Sequence, residues 1–468
     1  MSLMQAEGGF RSLTRDDEIA VDSLPVEGSV PSWLTGSLLR TGPARWEIGE
    51  SKLDHWFDGQ AMLHRFGIDG GGVSYSNRFL DTKALKAAES SGAIAYSEFA
   101  TDPCRSLYKR VQSAFSPSLS DNCNVNLTQL GDRFIAMTET PIPVQFDART
   151  LESAGVAYEP PGVLTTAHPH ADRATGGMLN FAASLGPRNE YRFFHLGPEA
   201  TEPEVIARMK VKEPAYTHSF GLTERWLVMA EFPFVVNPLR LAFSGKPYIE
   251  NYRWKPELGT KITLLDRQTG EVGQTYETEA RFGFHHVNAY EENGDVVADI
   301  CTFPDSAIVE DLYMDRLRAG KPLARPRLER FHLGGDGTVD VEHLCDASLD
   351  LPRINYGRVS ARKHRYIWGA WASPESNWID QIVKVDADEG TTSFWGEPGS
   401  YAGEPVFVAE PGTEAEDAGV LLSVVFDSAN GESYLLVLDA ADLSELARAR
   451  VPQHIPFGFH GQFARDLL

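Results

Sequence analysis

The chain is poor in features that mark several common protein classes. Its 468 residues hold four cysteines, Cys104, Cys123, Cys301 and Cys345, and no two stand in a CxxC or other paired spacing. Scattered cysteines of this kind read as reduced thiols in a cytosolic protein rather than as a disulfide framework. Basic residues are outnumbered, 43 Lys and Arg against 66 Asp and Glu, for a net charge of −23. So acidic a chain repels phosphate backbones, which argues against a nucleic-acid partner. No run of ~18 apolar residues occurs, so no segment reads as a membrane span. Residues 1–12 have neither a basic n-region nor an apolar h-region, and no secretory signal is read there. Long amphipathic helices are scarce; short helical patterns occur at Thr82–Ser90, Asp102–Ala114 and Ala307–Leu317. The expectation is a cytoplasmic protein.

What the chain does have is apolar material and a repeat. Hydrophobic residues make up 42%, including 25 Phe, 15 Tyr and 9 Trp, enough for a large core. From Gly36 onward, apolar/polar alternation broken by Gly- and Asp-rich turns reads as many short strands. Seven times an apolar segment closes in Asp or Gly before a turn: at Asp69, Asp147, Gly197, Asp266, Gly334, Asp386 and Asp439. Successive anchors lie 50 to 78 residues apart, the range of a four-stranded propeller blade with elaborated loops. The predicted fold is all-β, a seven-bladed β-propeller. It is read as one domain over 1–468, with residues 1–33 an N-terminal extension packing on or closing the propeller.

Histidines keep step with these anchors. His168, His218 and His460 each stand 21 residues after an anchor, and His285 stands 19 after one. His285 and His460 also end identical tetrads, Phe282-Gly283-Phe284-His285 and Phe457-Gly458-Phe459-His460. Equivalent strands of a propeller surround one axis, so four histidines at one phase are expected to converge there on a metal. Four imidazoles suit a closed tetrahedral zinc site, or an ion such as iron(II) that keeps positions open for small molecules. A propeller held by its own blades has little need of structural zinc, which favours iron. Ligating histidines normally pass their other N–H to a carboxylate. Asp350 and Glu404 stand near the histidine phase, and Glu139 is a third candidate that does not fit the count. His286, next to His285 on a strand, faces the opposite side and is expected to pack; of His168 and His170, the offset favours His168.

These residues resemble the carotenoid cleavage oxygenase family along nearly the whole chain. The likeness runs through Gly36-Ser37-Leu38-Leu39-Arg40-Thr41-Gly42-Pro43, Trp56-Phe57-Asp58-Gly59-Gln60, Thr166-Ala167-His168-Pro169-His170 and Tyr216-Thr217-His218-Ser219-Phe220. It continues in Phe284-His285-His286-Val287-Asn288, Pro352-Arg353-Ile354-Asn355-Tyr356, Gly403-Glu404-Pro405 and Phe459-His460-Gly461. The resemblance implies one Fe(II) per chain held by His168, His218, His285 and His460, with Glu139, Asp350 and Glu404 supporting them. Most members have Glu where this chain has Asp350, and the shorter side chain leaves room for a bridging water.

The implied reaction is cleavage of a conjugated C=C bond of a carotenoid or apocarotenoid by O2 to two carbonyl products. Stilbene cleavage, retinoid-type isomerisation and a non-catalytic binding propeller are the alternatives. Stilbene-cleaving members carry Lys just before the supporting Glu; Thr138 stands here, as in carotenoid- and retinoid-type members. Phe282 and Phe284 are expected to wall the site. The partners implied are a hydrophobic polyene and O2, with peripheral membrane contact expected through the apolar stretch 231–243 and the helix-like segment Cys104–Phe115.

Overall fold

The computed structural model describes residues 6–103, 119–186 and 188–468. Among these residues, seven antiparallel sheets of four or more strands are arranged as the blades of a β-propeller, as the anchors imply. Each anchor closes the third strand from the axis of its blade. Asp69 ends Gln60–Asp69 in blade 1, Asp266 ends Thr260–Asp266 in blade 4, and Asp439 ends Glu432–Asp439 in blade 7. A strand that ends at a tight turn needs Asp or Gly there, which is why the ruler could be read from sequence.

The ring closes by pairing its two ends. Blade 1 takes three strands from the N-terminal region, Gly36–Arg45, Gln60–Asp69 and Gly72–Phe79. Its innermost strand, Gly461–Ala464, comes from the C-terminus and pairs with Gly36–Arg45. The extension adds outer strands at the seam: Ala20–Val21 pairs with blade 1, and Val26–Gly28 with blade 7. Middle strands are apolar on both faces because a neighbouring blade covers each. Gly419–Asp427, for instance, buries seven consecutive residues, whereas the outer strand Val272–Thr278 is largely exposed. At the seam, Leu38, Phe66 and Tyr75 of blade 1 pack against Val420, Leu435 and Val437 of blade 7.

The two tetrads serve different local structures. Phe282–His285 opens the innermost strand Phe282–Glu292 of blade 5, and a Cβ on Gly283 would come within 2.8 Å of the Cys301 carbonyl. Phe457–His460 precedes the strand Gly461–Ala464, and there Gly458 lies against the Gly42 backbone. One-residue bulges lie on both sides of His286, between Gly283 and His286 and between His286 and Asn288. Such bulges add residues, so they do not account for His285 standing at 19 rather than 21.

The expected helices at 82–90 and 307–317 appear as Lys83–Ser91, capped by Thr82, and as the pair Ala307–Asp311 and Met314–Arg318. The expectations for Asp102–Ala114 and Cys104–Phe115 fall mostly outside the described residues. Within the stretch 231–243, residues 232–236 depart from their expected role as an apolar surface. Phe232, Phe234, Val235 and Val236 are all at most 8% exposed, and Phe232, Phe234 and Val236 belong to the core around Phe282 and Tyr252. Their side chains are spent on packing, so membrane contact through residues 232–236 is corrected to core. No described helix is long and apolar enough to cross a membrane.

Two buried histidines outside the centre tie stability to pH. Burial holds His55 and His64 down to about 3. The unfolded chain takes up their protons near pH 6.5 and the folded chain does not. Stability is therefore undiminished above pH 6.5 and falls as pH drops from 6.5 toward 3. At ~1.4 kcal/mol per unit, each costs about 2 kcal/mol between pH 7 and 5. Denaturant unfolding at the two pH values is expected to show that loss, and His64→Gln to reduce it.

Candidate metal centre and substrate cavity

All seven blades send a residue to one end of the axis. His460 comes from blade 1, His168 from blade 3, His218 from blade 4 and His285 from blade 5, each in or beside an innermost strand. Asp350 opens the innermost strand of blade 6, and Glu404 lies between the innermost segments Ser400–Ala402 and Val406–Ala409 of blade 7. Glu139 of blade 2 follows the second strand, Arg133–Met137, not the innermost one, Asn126–Leu130. That placement explains why it fell outside the histidine phase.

The four histidines expected from sequence form one cluster whose ring nitrogens lie within 4.8 Å of one another. His168 Nε2 is 3.0 Å from His218 Nε2, and His285 Nε2 is 3.2 Å from His460 Nε2. On the far side of three rings stands a carboxylate. His218 Nδ1–H donates to Glu139 Oε1 at 2.6 Å, His285 Nδ1–H to Asp350 Oδ1 at 2.6 Å, and His460 Nδ1–H to Glu404 Oε1 at 2.7 Å. An ionised carboxylate only accepts, so each bond fixes the proton on Nδ1 and leaves the Nε2 lone pair facing inward. Among the described residues His168 has no carboxylate partner. Burial first, then the neighbouring imidazoles, hold His168 well below its ordinary range; burial likewise lowers His218, and His460 to about 4. Neutral imidazoles with converging lone pairs repel one another unless a cation sits between them. The donor set therefore fits a metal.

The carboxylates are themselves held. Tyr216 donates its hydroxyl to Glu139 Oε1 at 2.6 Å. Glu404 Oε2 accepts from Arg353 Nη2 at 2.9 Å and from the Gly461 N–H at 2.9 Å. Burial alone would raise Glu404, but Arg353 and His460 hold it down to about 2. Tyr216 and Arg353 were not assigned roles from sequence, although both stand inside motifs already noted.

Asp350 corrects the expectation of a bridging water, because its bond to His285 is direct. A bulge interrupts the pairing between Asp350 and Arg353, and Leu351 there takes a left-handed φ of 51°. A bulge re-aims the side chain beside it, which is how a residue one methylene shorter than Glu still reaches the imidazole. Asp350→Ala is expected to weaken metal retention about 10–100-fold, checked by competition with a chelator.

The centre opens into a cavity with about 150 Å³ of free space. Its wall is largely apolar and includes Trp56, Phe57, Phe99, Phe284 and Phe459, and Thr138 also lines it. Phe282 stands behind Phe284, ring centroids 5.0 Å apart. The other histidines take no part: His170 bonds the Phe220 carbonyl, and His286 the Ser219 hydroxyl.

Comparison with known proteins agrees with this arrangement. The family model described as retinal pigment epithelial membrane protein matches residues 12–465. The chain belongs to that family. It is 34% identical to a mitochondrial carotenoid-cleaving dioxygenase of Macaca fascicularis, over 94% of this chain and 91% of the relative. It is 32% identical to a beta,beta-carotene 15,15'-dioxygenase of Mus musculus, over 94% and 88%. Among solved structures, the cobalt-substituted apocarotenoid oxygenase of Synechocystis superposes with a TM-score of 0.88 at 27% identity, covering 99% of both chains. The family's propeller is thus the fold of this chain.

Proposed function

We propose that this protein is a non-haem iron(II) dioxygenase. Its reaction is cleavage of one conjugated C=C bond of a carotenoid or apocarotenoid with O2, one oxygen atom going to each of two carbonyl products. The observation that carries the reading is four imidazoles whose ring nitrogens converge, three with the Nδ1 proton fixed by a carboxylate, beside a cavity walled in part by Phe57, Phe284 and Phe459. The whole chain acts as one catalytic domain in this reading.

The spacing of the donor atoms supports an ion with open positions. With ~2.1 Å bonds, ligands at right angles stand about 3.0 Å apart and tetrahedral ones about 3.4 Å. The 3.0 Å separation matches the first, and the 3.2 Å separation lies midway between the two. Iron(II) supplies the redox chemistry with O2 that side chains lack. The protein's own residues do the rest. Glu139, Asp350 and Glu404 orient the ligands, and their negative charge favours retention of a cation. Phe284, Phe459 and Phe57 hold a flat polyene by apolar contact and keep bulk water from the reacting bond. Thr138 lines the wall without adding a cation or a general base.

The test is stoichiometric: iron-loaded protein should consume one O2 for each polyene chromophore bleached. Loss of the polyene without O2 uptake would overturn the reading.

A further inference from the structure

A second, smaller cavity lies behind the substrate chamber, and Trp56, Leu351, Trp378 and Ile379 form a wall common to both. Arg40 and His64 line it. The two are directly opposed on neighbouring strands of blade 1, so their side chains leave the sheet on one face. The Arg40 side chain runs past Gly461, and its guanidinium lies between Gly403 and Gly458, which both line the cavity. A Cβ on Gly403 would come within 3.0 Å of Arg40 Nη1 and 3.3 Å of Nη2, so glycine there leaves the guanidinium its place. Arg40 is 5% exposed, yet its one hydrogen bond among the described residues runs from Nη2 to the Phe459 carbonyl at 3.2 Å.

Among the described residues no carboxylate pairs with this cation. Glu404 attracts it from a distance, but both Glu404 oxygens are engaged, by His460 Nδ1, Arg353 Nη2 and the Gly461 N–H. Burial lowers Arg40 only to about 10, so it stays charged at neutral pH. His64, held neutral by burial, adds no second charge; its Nδ1 lies 2.9 Å from the Tyr75 hydroxyl. A buried charge is costly unless a counter-charge meets it, and a guanidinium carries more N–H donors than one carbonyl can use. The cavity has about 20 Å³ of free space, more than the ~10–15 Å³ that one water needs, which suits a monatomic ion. We propose that it holds one small monovalent anion of the halide class, bound by the Arg40 guanidinium beside His64. Arg40 also pairs with Gly461 in the strand that closes the ring, so the ion braces the seam between blades 1 and 7.

Two measurements on the full, iron-loaded chain test this, and neither depends on cleavage of a polyene. Crystals soaked in sodium bromide should show one anomalous scattering peak in the cavity, against Arg40. In solution, replacing gluconate, too large to enter, by chloride at constant ionic strength should raise Tm by about 1–3 °C. Arg40→Met should lose both the peak and the rise. Bromide found at the surface as an adventitious ion only, with none against Arg40, would overturn the proposal. A chloride-dependent rise that survives unchanged in Arg40→Met would do the same. Should Arg40→Met not fold, the bromide result on the wild type decides alone.

Discussion

His285→Ala is expected to purify with less than about a tenth of the wild-type metal and to give no measurable cleavage product. Loss of a residue that merely orients a ligand costs 10–100-fold in affinity, and loss of the ligand itself should exceed that. The geometry gives a further reason. With His285 gone, Asp350 keeps a carboxylate in a site 3% exposed and loses the N–H that His285 gives it. His460 also loses its 3.2 Å neighbour, so one side of the donor set is removed. Elemental analysis of the purified variant, with circular dichroism to confirm the propeller, makes the measurement. His286→Ala is the matched control, because that ring bonds Ser219 and not the centre. Equal metal loss in both variants would mean that packing, not ligation, explains the effect.

Glu404→Ala should have the largest effect on stability. Glu404 is 1% exposed and serves three donors, His460 Nδ1, Arg353 Nη2 and the Gly461 N–H. Removing it leaves the partly buried Arg353 guanidinium with the Gly461 carbonyl but without its carboxylate, and breaking a buried pair from one side costs up to about 3–5 kcal/mol. His460 and Gly461 lead into the strand that closes the ring, so the damage falls on the seam between blades 1 and 7. Asp350→Ala removes a comparable partner from His285 but strands no arginine, and should cost less. Urea unfolding of the two variants, each metal-free, separates the cases. A greater loss of stability in Asp350→Ala than in Glu404→Ala would contradict this expectation. Glu404 also fixes the sign of one acid effect. Its pKa lies near 2 against an ordinary value near 4.5, so its contribution is complete above pH 4.5 and is lost as pH falls toward 2.

The parts of this protein legible in its sequence were those set by strict local needs. Asp69, Asp147 and their five counterparts mark strand ends because tight turns demand such residues. His168, His218 and His460 keep a fixed offset because each sits where one blade hands over to the next. Counting failed at Glu139, which follows a second strand rather than an innermost one. Length alone misjudged Asp350, since a bulge brings the shorter carboxylate to His285. Hydrophobicity misjudged residues 232–236, because an apolar run reads the same whether it faces a core or a membrane. Arg353 stands inside a motif read from sequence, but its role comes from a partner 51 residues away.

The most direct test of the central claim is the mass of the products. Iron-loaded protein incubated with carotenoids, apocarotenals and stilbenes should yield, from a carotenoid or apocarotenal, two carbonyl fragments whose masses sum to substrate plus O2. A single product with the mass of its substrate would mark an isomerase and contradict the account, as would cleavage confined to the stilbenes.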